Sequence, residues 1–245
     1  MPINYKNILF AFLVLTLLPR FLTAQPCTTK GIDGQEISIT HDGSSTSYTG
    51  LAFELQLSSE AMVKFEVLLP KYLFKYTNQY RQEHGLPQLI WVKAYEQAAF
   101  SQCNYLLTES DQQNLYVLGH GQNNPSNKYF TGSSASNRAA HYSGKQEYCG
   151  ENCLYTWLKK EEFDEQNIES VVAKLAYQMV FEQWHNSPGH RENMLKPGYK
   201  TLGCAGTIRS KITRDRFLDC DGKVQEYNHS ESWLMLYAAQ VFGLE

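Results

Sequence analysis

The stretch His185–Leu195, HNSPGHRENML, gathers His185, His190, Arg191 and Glu192 around a Ser187-Pro188-Gly189 turn. Proline fixes φ and glycine tolerates values that other residues cannot adopt, so the direction of the chain is pinned there. Imidazoles held on such a turn are suited to binding a metal or carrying a proton. Taken alone, the stretch reads as a polar connection following an amphipathic helix that ends near Trp184. What surrounds it decides its meaning.

On its N-terminal side, Ile168, Val171, Val172, Leu175, Ala176, Met179 and Val180 recur at helical spacing and predict a core-facing helix with Asn167 as N-cap. On its C-terminal side the pattern changes to short apolar runs. Thr201–Ile208 and Trp233–Phe242 read as buried strands joined through the turn pair Asp221-Gly222. Further upstream, Pro70 is suited to the first position of a helix carrying Leu73, Tyr76, Tyr80 and His84, closed by Gly85. A second helix is expected over about Val92–Thr108, with Tyr95, Ala98, Ala99, Cys103 and Leu106 on one face. Phe53–Leu69 fits either a strand or a short helix. Ser110–Gln146 is long, polar and rich in Gly, Asn and Ser, the composition of a functional loop. Helices first and strands later predict an α+β domain with helices packed on a mainly antiparallel sheet.

The chain opens as a secretory leader: Lys6, an apolar run at Ile8–Leu18, and Leu22-Thr23-Ala24 before Gln25. The run is too short for an anchored membrane span. The expected organisation is a signal peptide at 1–24, an extension of open role at 25–69 and one domain at 70–245. The protein is accordingly expected to be secreted, extracellular, or periplasmic or cell-surface in a bacterium. Loss of Lys6 and Arg20 with the leader takes the formal charge from −3 to −5. That balance excludes nucleic acid and an anionic membrane surface as main partners, since both require clustered cations. Arg209, Lys211, Arg214 and Arg216 form one short basic cluster, read as an exposed hairpin.

All six cysteines (Cys27, Cys103, Cys149, Cys153, Cys204, Cys220) follow the leader. An even count in an oxidising compartment favours disulfides over a metal knuckle at Cys149 and Cys153. Cys204 and Cys220 form the most plausible local pair.

Taken together, several motifs follow one another in a fixed order. They are Asn78-x2-Arg81-x3-Gly85-Leu86-Pro87-x-Leu89-x-Trp91, Gly150-Glu151-Asn152, Trp184 with Asn186–Leu195, Leu202-Gly203-Cys204-Ala205 and Gln240-Val241-Phe242-Gly243. In this order and spacing the chain resembles the CAP superfamily of cysteine-rich secretory proteins, antigen 5 and pathogenesis-related 1 proteins, nearest its bacterial-type SCP-like extracellular branch. The resemblance implies a three-layer α-β-α sandwich around an antiparallel sheet, with histidines and glutamates converging in a cavity. By position it assigns His190 and Glu151 to that cavity. The earlier histidine falls on His120, with His141 in reserve. The second glutamate of some relatives is missing, and Glu192 or Glu182 stands as its substitute.

Such a set would suit a divalent ion, Zn²⁺ or Mg²⁺, with an open position for water or ligand. An architectural carboxylate–imidazole pair is the plainer alternative. No nucleophile is recognisable, since Ser187 precedes proline and no G-x-S-x-G elbow occurs. The expectation is therefore a binding or interaction module rather than an enzyme. Its ligand would be a lipid, sterol or other small molecule, and its partner an extracellular protein or cell-wall component. The competing reading is a metal-assisted hydrolase acting on peptide, lipid or cell-wall material.

Overall fold

The computed structural model describes residues 27–30, 36–41, 46–49, 58–113, 116–159, 162–218 and 224–244. The expected leader and the Asp221-Gly222 turn lie outside them. The chain divides into two compact units, 1–51 with 216–226 and 52–215 with 227–245. In the first, β1 (Cys27–Lys30), β2 (Glu36–His41) and β3 (Thr46–Thr49) form an antiparallel sheet in the order β1-β2-β3. The described part of the extension at 25–69 that precedes residue 50 is thus paired strand.

The second unit begins with α1 (Ser59–Glu83), eleven residues ahead of the Pro70 start that the sequence suggests. Ser58 supplies the cap, its Oγ accepting from Ala61 N–H at 3.0 Å. Phe65, Leu69 and Leu73 form a fully buried stripe through Pro70, so packing outweighs the single hydrogen bond the proline removes. Gly85, at φ 73°, follows the helix end in the left-handed region, and Leu86 N–H returns to Arg81 O.

There follow β4 (Ile90–Trp91), α2 (Lys93–Gln113), α3 (Ala135–Ser143), β5 (Cys149–Lys159), α4 (Ile168–Gln178), a π-helical turn at Met179–Trp184, α5 (Pro188–Leu195), β6 (Thr201–Leu218) and β7 (Val224–Gly243). Two expectations change here. The polar stretch 110–146 contains α3, capped by Ser134. The SPGH turn is the first turn of α5, with Pro188 at its start, where a missing N–H costs nothing.

The four strands run in the order β4-β6-β7-β5, β5 antiparallel to β7 and β4 parallel to β6. The fold is therefore α+β, and its mixed sheet is covered on both faces. Leu234, Leu236, Ala238 and Phe242 join one core with α1, α4 and α5. Met235, Tyr237, Ala239 and Val241 join the other with α2 and α3. Strand periodicity of two explains the unbroken apolar run: alternate residues feed opposite cores.

The same alternation bears on the cysteines. Cys103, Cys149, Cys153 and Cys204 are buried free thiols, so the disulfides expected among them are absent. Cys149 and Cys153 lie four residues apart on β5, about 13 Å along a strand and beyond the roughly 7 Å a disulfide spans. Cys204 faces the α1 core while the other three face α2. Its expected partner Cys220 lies outside the described residues.

Gly203 is required by the layer spacing, because a Cβ there would collide with the backbone of Tyr95 and Glu96 at the start of α2. Gly203→Ala is expected to lower unfolding stability by about 1–3 kcal/mol or more. Gly189→Ala, where no atom stands within 4 Å, should be neutral or stabilising by up to about 1 kcal/mol. Urea denaturation of both variants tests the contrast.

Candidate functional site

The site is built on three elements that meet at the start of β5. Strand alternation turns Glu151 and Cys153 toward α2 and α3, while Asn152 and Leu154 face α1 and α4. Glu151, with its side chain 3 % exposed, is shared between two partners. One carboxylate oxygen pairs with the Arg138 guanidinium from α3, and the other accepts from His120 Nδ1 at 2.9 Å. A buried carboxylate needs such pairing, since uncompensated burial of its charge is costly.

Arg138 is fully buried and does more than neutralise Glu151. Its NH1 donates to His120 O at 3.1 Å and Gly132 O at 3.3 Å, tying both ends of the loop that carries His120. That loop is held further by Gln122, whose Nε2 donates to Ser101 Oγ and whose Oε1 accepts from Thr131 N. Tyr105 and Glu109 of α2 bind Asn123, Asn124 and Asn127. The polar stretch thus has a fixed course, built from amide side chains.

His190 comes from α5, its ring centre 6.4 Å from that of His120. Two asparagines seat α5 against β5. Asn152 Nδ2 donates to His190 O at 3.1 Å, and Asn193 Nδ2 donates to Glu151 O at 3.1 Å. Beneath them Asn152 also reaches Gln240, which donates to Thr77 on α1. Arg81, also fully buried, clamps the far end of α5 by donating to Met194 O at 2.8 Å and Lys196 O at 3.1 Å.

The two imidazoles are tuned in opposite directions. The hydrogen bond to Glu151 raises the His120 pKa above 6.5, against an opposing effect of burial. Burial, then the neighbouring His120, lowers that of His190. His120 nevertheless leaves more than half of its side chain open to solvent. Beside it opens a cleft of about 390 Å³, lined by His120, Ser133, Ser134, Tyr148, Glu151 and Asn193 among others.

The other sequence candidates stand elsewhere. His141 is exposed at the end of α3, packed on Tyr142. Glu192 is exposed on α5, and Glu182 lies in a separate groove beside α4. His185 ends the π-helical turn, where its Nδ1 bonds Tyr80 OH at 2.7 Å. His84 Nδ1 bonds Tyr80 O at 2.8 Å, a helix-end contact. Arg138 was not among the expected cavity residues; its signal in the sequence is the Asn137-Arg138-Ala139 stretch that follows the His120 segment.

The donor set allows two arrangements for a cation. His120, Glu151 and Cys153 offer ligand atoms within 4.8 Å of one another. Glu151 is, however, already paired with Arg138, and burial pushes the Cys153 thiol far up, so an ion there would displace a guanidinium and deprotonate a buried thiol. The outer arrangement fits better. Glu151 holds His120 by Nδ1, leaving Nε2 as the ligand atom, while His190 tends to the neutral form that metals require. Rings 6.4 Å apart leave space for one ion bound by a nitrogen from each, at bond lengths of about 2.1 Å.

Two measurements follow from this geometry. Proton NMR should place the His120 midpoint above 6.5 and that of His190 below it, with Glu151→Gln moving His120 downward. The signs for stability are opposite: the His120 contribution is complete below about pH 6.5 and lost as pH rises through its raised value, whereas that of His190 is present above about 6.5 and lost as pH falls through its lowered value. Arg138→Met strands the Glu151 charge and should cost about 3–5 kcal/mol in chemical denaturation, most of it regained in Arg138→Met/Glu151→Gln.

Residues 74–211, more than half of the chain, match the family model described as the cysteine-rich secretory protein family, CAP. No curated protein matches. Among solved structures, an extracellular protein containing an SCP domain from Bacillus anthracis is 16% identical at a TM-score of 0.45, covering 91% of this chain and 60% of that one. An outer surface protein from Borrelia burgdorferi is 12% identical at a TM-score of 0.39, over 78% of this chain and 98% of that one. A cysteine-rich secretory protein from Staphylococcus aureus is 12% identical at 0.37, over 90% and 65%. This chain thus spans less than two thirds of the Bacillus protein's length. From the extent of the family match, the chain belongs to the cysteine-rich secretory protein (CAP) family.

Proposed function

We propose that the protein is a secreted CAP-domain binding module that takes a divalent cation, Zn²⁺ foremost, between His120, which lines the cleft, and the neighbouring His190. The observation carrying this reading is the Glu151–His120 hydrogen bond beside a second, more neutral imidazole. A carboxylate behind a histidine fixes the ring and raises its basicity as a ligand. When bound, such an ion supplies a Lewis-acidic site with positions open to an oxygen of a further ligand. The cleft lining is rich in polar groups (His120, Ser133, Ser134, Glu151 and Asn193), which suits an ion or a small polar ligand better than a sterol or acyl chain.

The hydrolase reading finds less support. Ser134 is engaged as the α3 cap, its Oγ accepting from Asn137 N at 3.2 Å and donating to Asn137 Oδ1 at 2.6 Å. Cys149 lines the cleft, but burial pushes its thiol up to about 11, away from the reactive thiolate. Extracellular placement rests on the leader pattern in the sequence, Lys6 with Ile8–Leu18.

Calorimetric titration with Zn²⁺ tests the reading. His120→Ala/His190→Ala should abolish binding, and Glu151→Gln should weaken it by about 10–100-fold. Affinity should fall as pH drops, because the proton held by His120 competes with the ion. Equal zinc binding by the parent and the double variant would sink the proposal.

A further inference from the structure

Strand β5 has two edges, and one of them is half open among the described residues. It pairs with β7 along its whole length, from Cys149↔Gly243 to Lys159↔Trp233. In an antiparallel pair, alternate residues direct both N–H and C=O toward the partner strand and the residues between direct both away. Two contacts identify the outward set. Cys149 N–H donates to Ser136 Oγ at 3.0 Å, and Glu151 O accepts from Asn193 Nδ2 at 3.1 Å. The odd-numbered residues therefore face away from β7. α3 and α5 cover that edge at Cys149 and Glu151. Farther along, the outward groups of Tyr155 and Trp157 find no backbone or side-chain partner among the described residues, and both residues are partly exposed.

Beside this open half lies a groove of about 480 Å³, a different place from the His120 cleft. One wall is the strand itself at Thr156–Leu158; the other is α4, through Ser170, Lys174 and Gln178, and the π-helical turn, through Met179 and Gln183. The π-helical turn places Gln183 so that its Nε2 donates to Thr156 Oγ1 at 3.4 Å across the floor. Glu162, Lys174 and Glu182 also line the groove, and none has an ion-pair partner among the described residues.

We propose that the open half of β5 receives an extended segment of a partner polypeptide as an added strand, seated in the groove between β5 and α4. Free N–H and C=O groups repeating every second residue are complementary to another extended backbone and to little else. Tyr155–Lys159 matches about five residues at roughly 3.4 Å each. Main-chain bonds then supply affinity, while the groove reads the side chain that points into it. Two carboxylates against one ammonium in its walls favour a segment carrying a basic residue. Left bare, such an edge invites unselective pairing; Lys159 at its end is the sort of charge that limits this.

The test uses the full chain. Amide exchange by NMR should show Tyr155 and Trp157 exchanging fast in the free protein, with Thr156 and Leu158 slow because they donate to β7. Random peptides of about eight residues are then selected by display against the folded protein, and an enriched peptide is synthesised. Its binding should slow exchange at Tyr155 and Trp157 and leave the His120 and His190 resonances unmoved. N-methylation of the peptide should weaken binding by about tenfold at every second position only, as one lost hydrogen bond implies. Trp157→Pro removes an outward donor while sparing the β7 ladder, and should weaken binding by about tenfold or more. If that variant does not fold, the methylation scan on the parent chain decides alone. The proposal is overturned if no peptide enriches, if binding ignores the methylation pattern, or if Tyr155 and Trp157 become protected with rising protein concentration, which would make the occupant a second copy of the chain.

Discussion

Everything around the cleft depends on how one buried negative charge is compensated. Glu151 sits on a strand between two cores, where an unpaired carboxylate would be expensive. Arg138 meets it from α3 and, with its remaining donors, gathers the carbonyls of His120 and Gly132. One guanidinium thereby fixes a strand, a helix and both ends of a loop. His120 is positioned by the same carboxylate that Arg138 neutralises, so the placement of the ring and the burial of the charge are a single arrangement. Replacing the pair by apolar residues could preserve packing, but it would release the loop and the imidazole together.

Much of this was legible as residue types without being legible as roles. Within the motifs that carry the family resemblance, Asn78, Arg81, Glu151, Asn152 and Gln240 prove to be buried polar groups. Asn78 exchanges two hydrogen bonds with Leu89, Arg81 gathers the carbonyls at the end of α5, and Asn152, Asn193 and Gln240 form one network under the sheet. Side chains like these show no periodicity, so pattern reading sees only that they are present. The apolar stripes of α2 and α4 and the two long strands were readable because burial imposes a period on them. α3 was not, since its buried contribution is limited to Ala135, Arg138 and Ala139 within a polar stretch.

The misplaced boundaries have physical causes too. Pro70 is a start signal only where the preceding turn is absent, and here Phe65 and Leu69 are buried strongly enough to carry the helix through it. The Ser-Pro-Gly sequence reads as a turn by its residues, yet proline at a first helical position is compatible with α5. The π-helical turn left no mark in the sequence. It ends on Trp184, which is fully buried. The expected disulfides rested on counting cysteines, and a count carries no information about which face of a sheet each one occupies.

The Arg81 clamp has a consequence for the order of assembly. Its acceptors Met194 and Lys196 follow it by 113 and 115 residues, and the Tyr80–His185 contact spans 105. At synthesis rates of about 5–20 residues per second, α1 waits on the order of ten seconds for the carbonyls that receive its cation. Until then a side chain destined for complete burial stays hydrated, and α1 has no reason to commit to its final neighbours. Contacts so distant along the chain make for slow folding. The α5 end of the cleft is therefore among the last parts to form, and a truncation shortly before Met194 would leave the Arg81 cation without the carbonyls that house it.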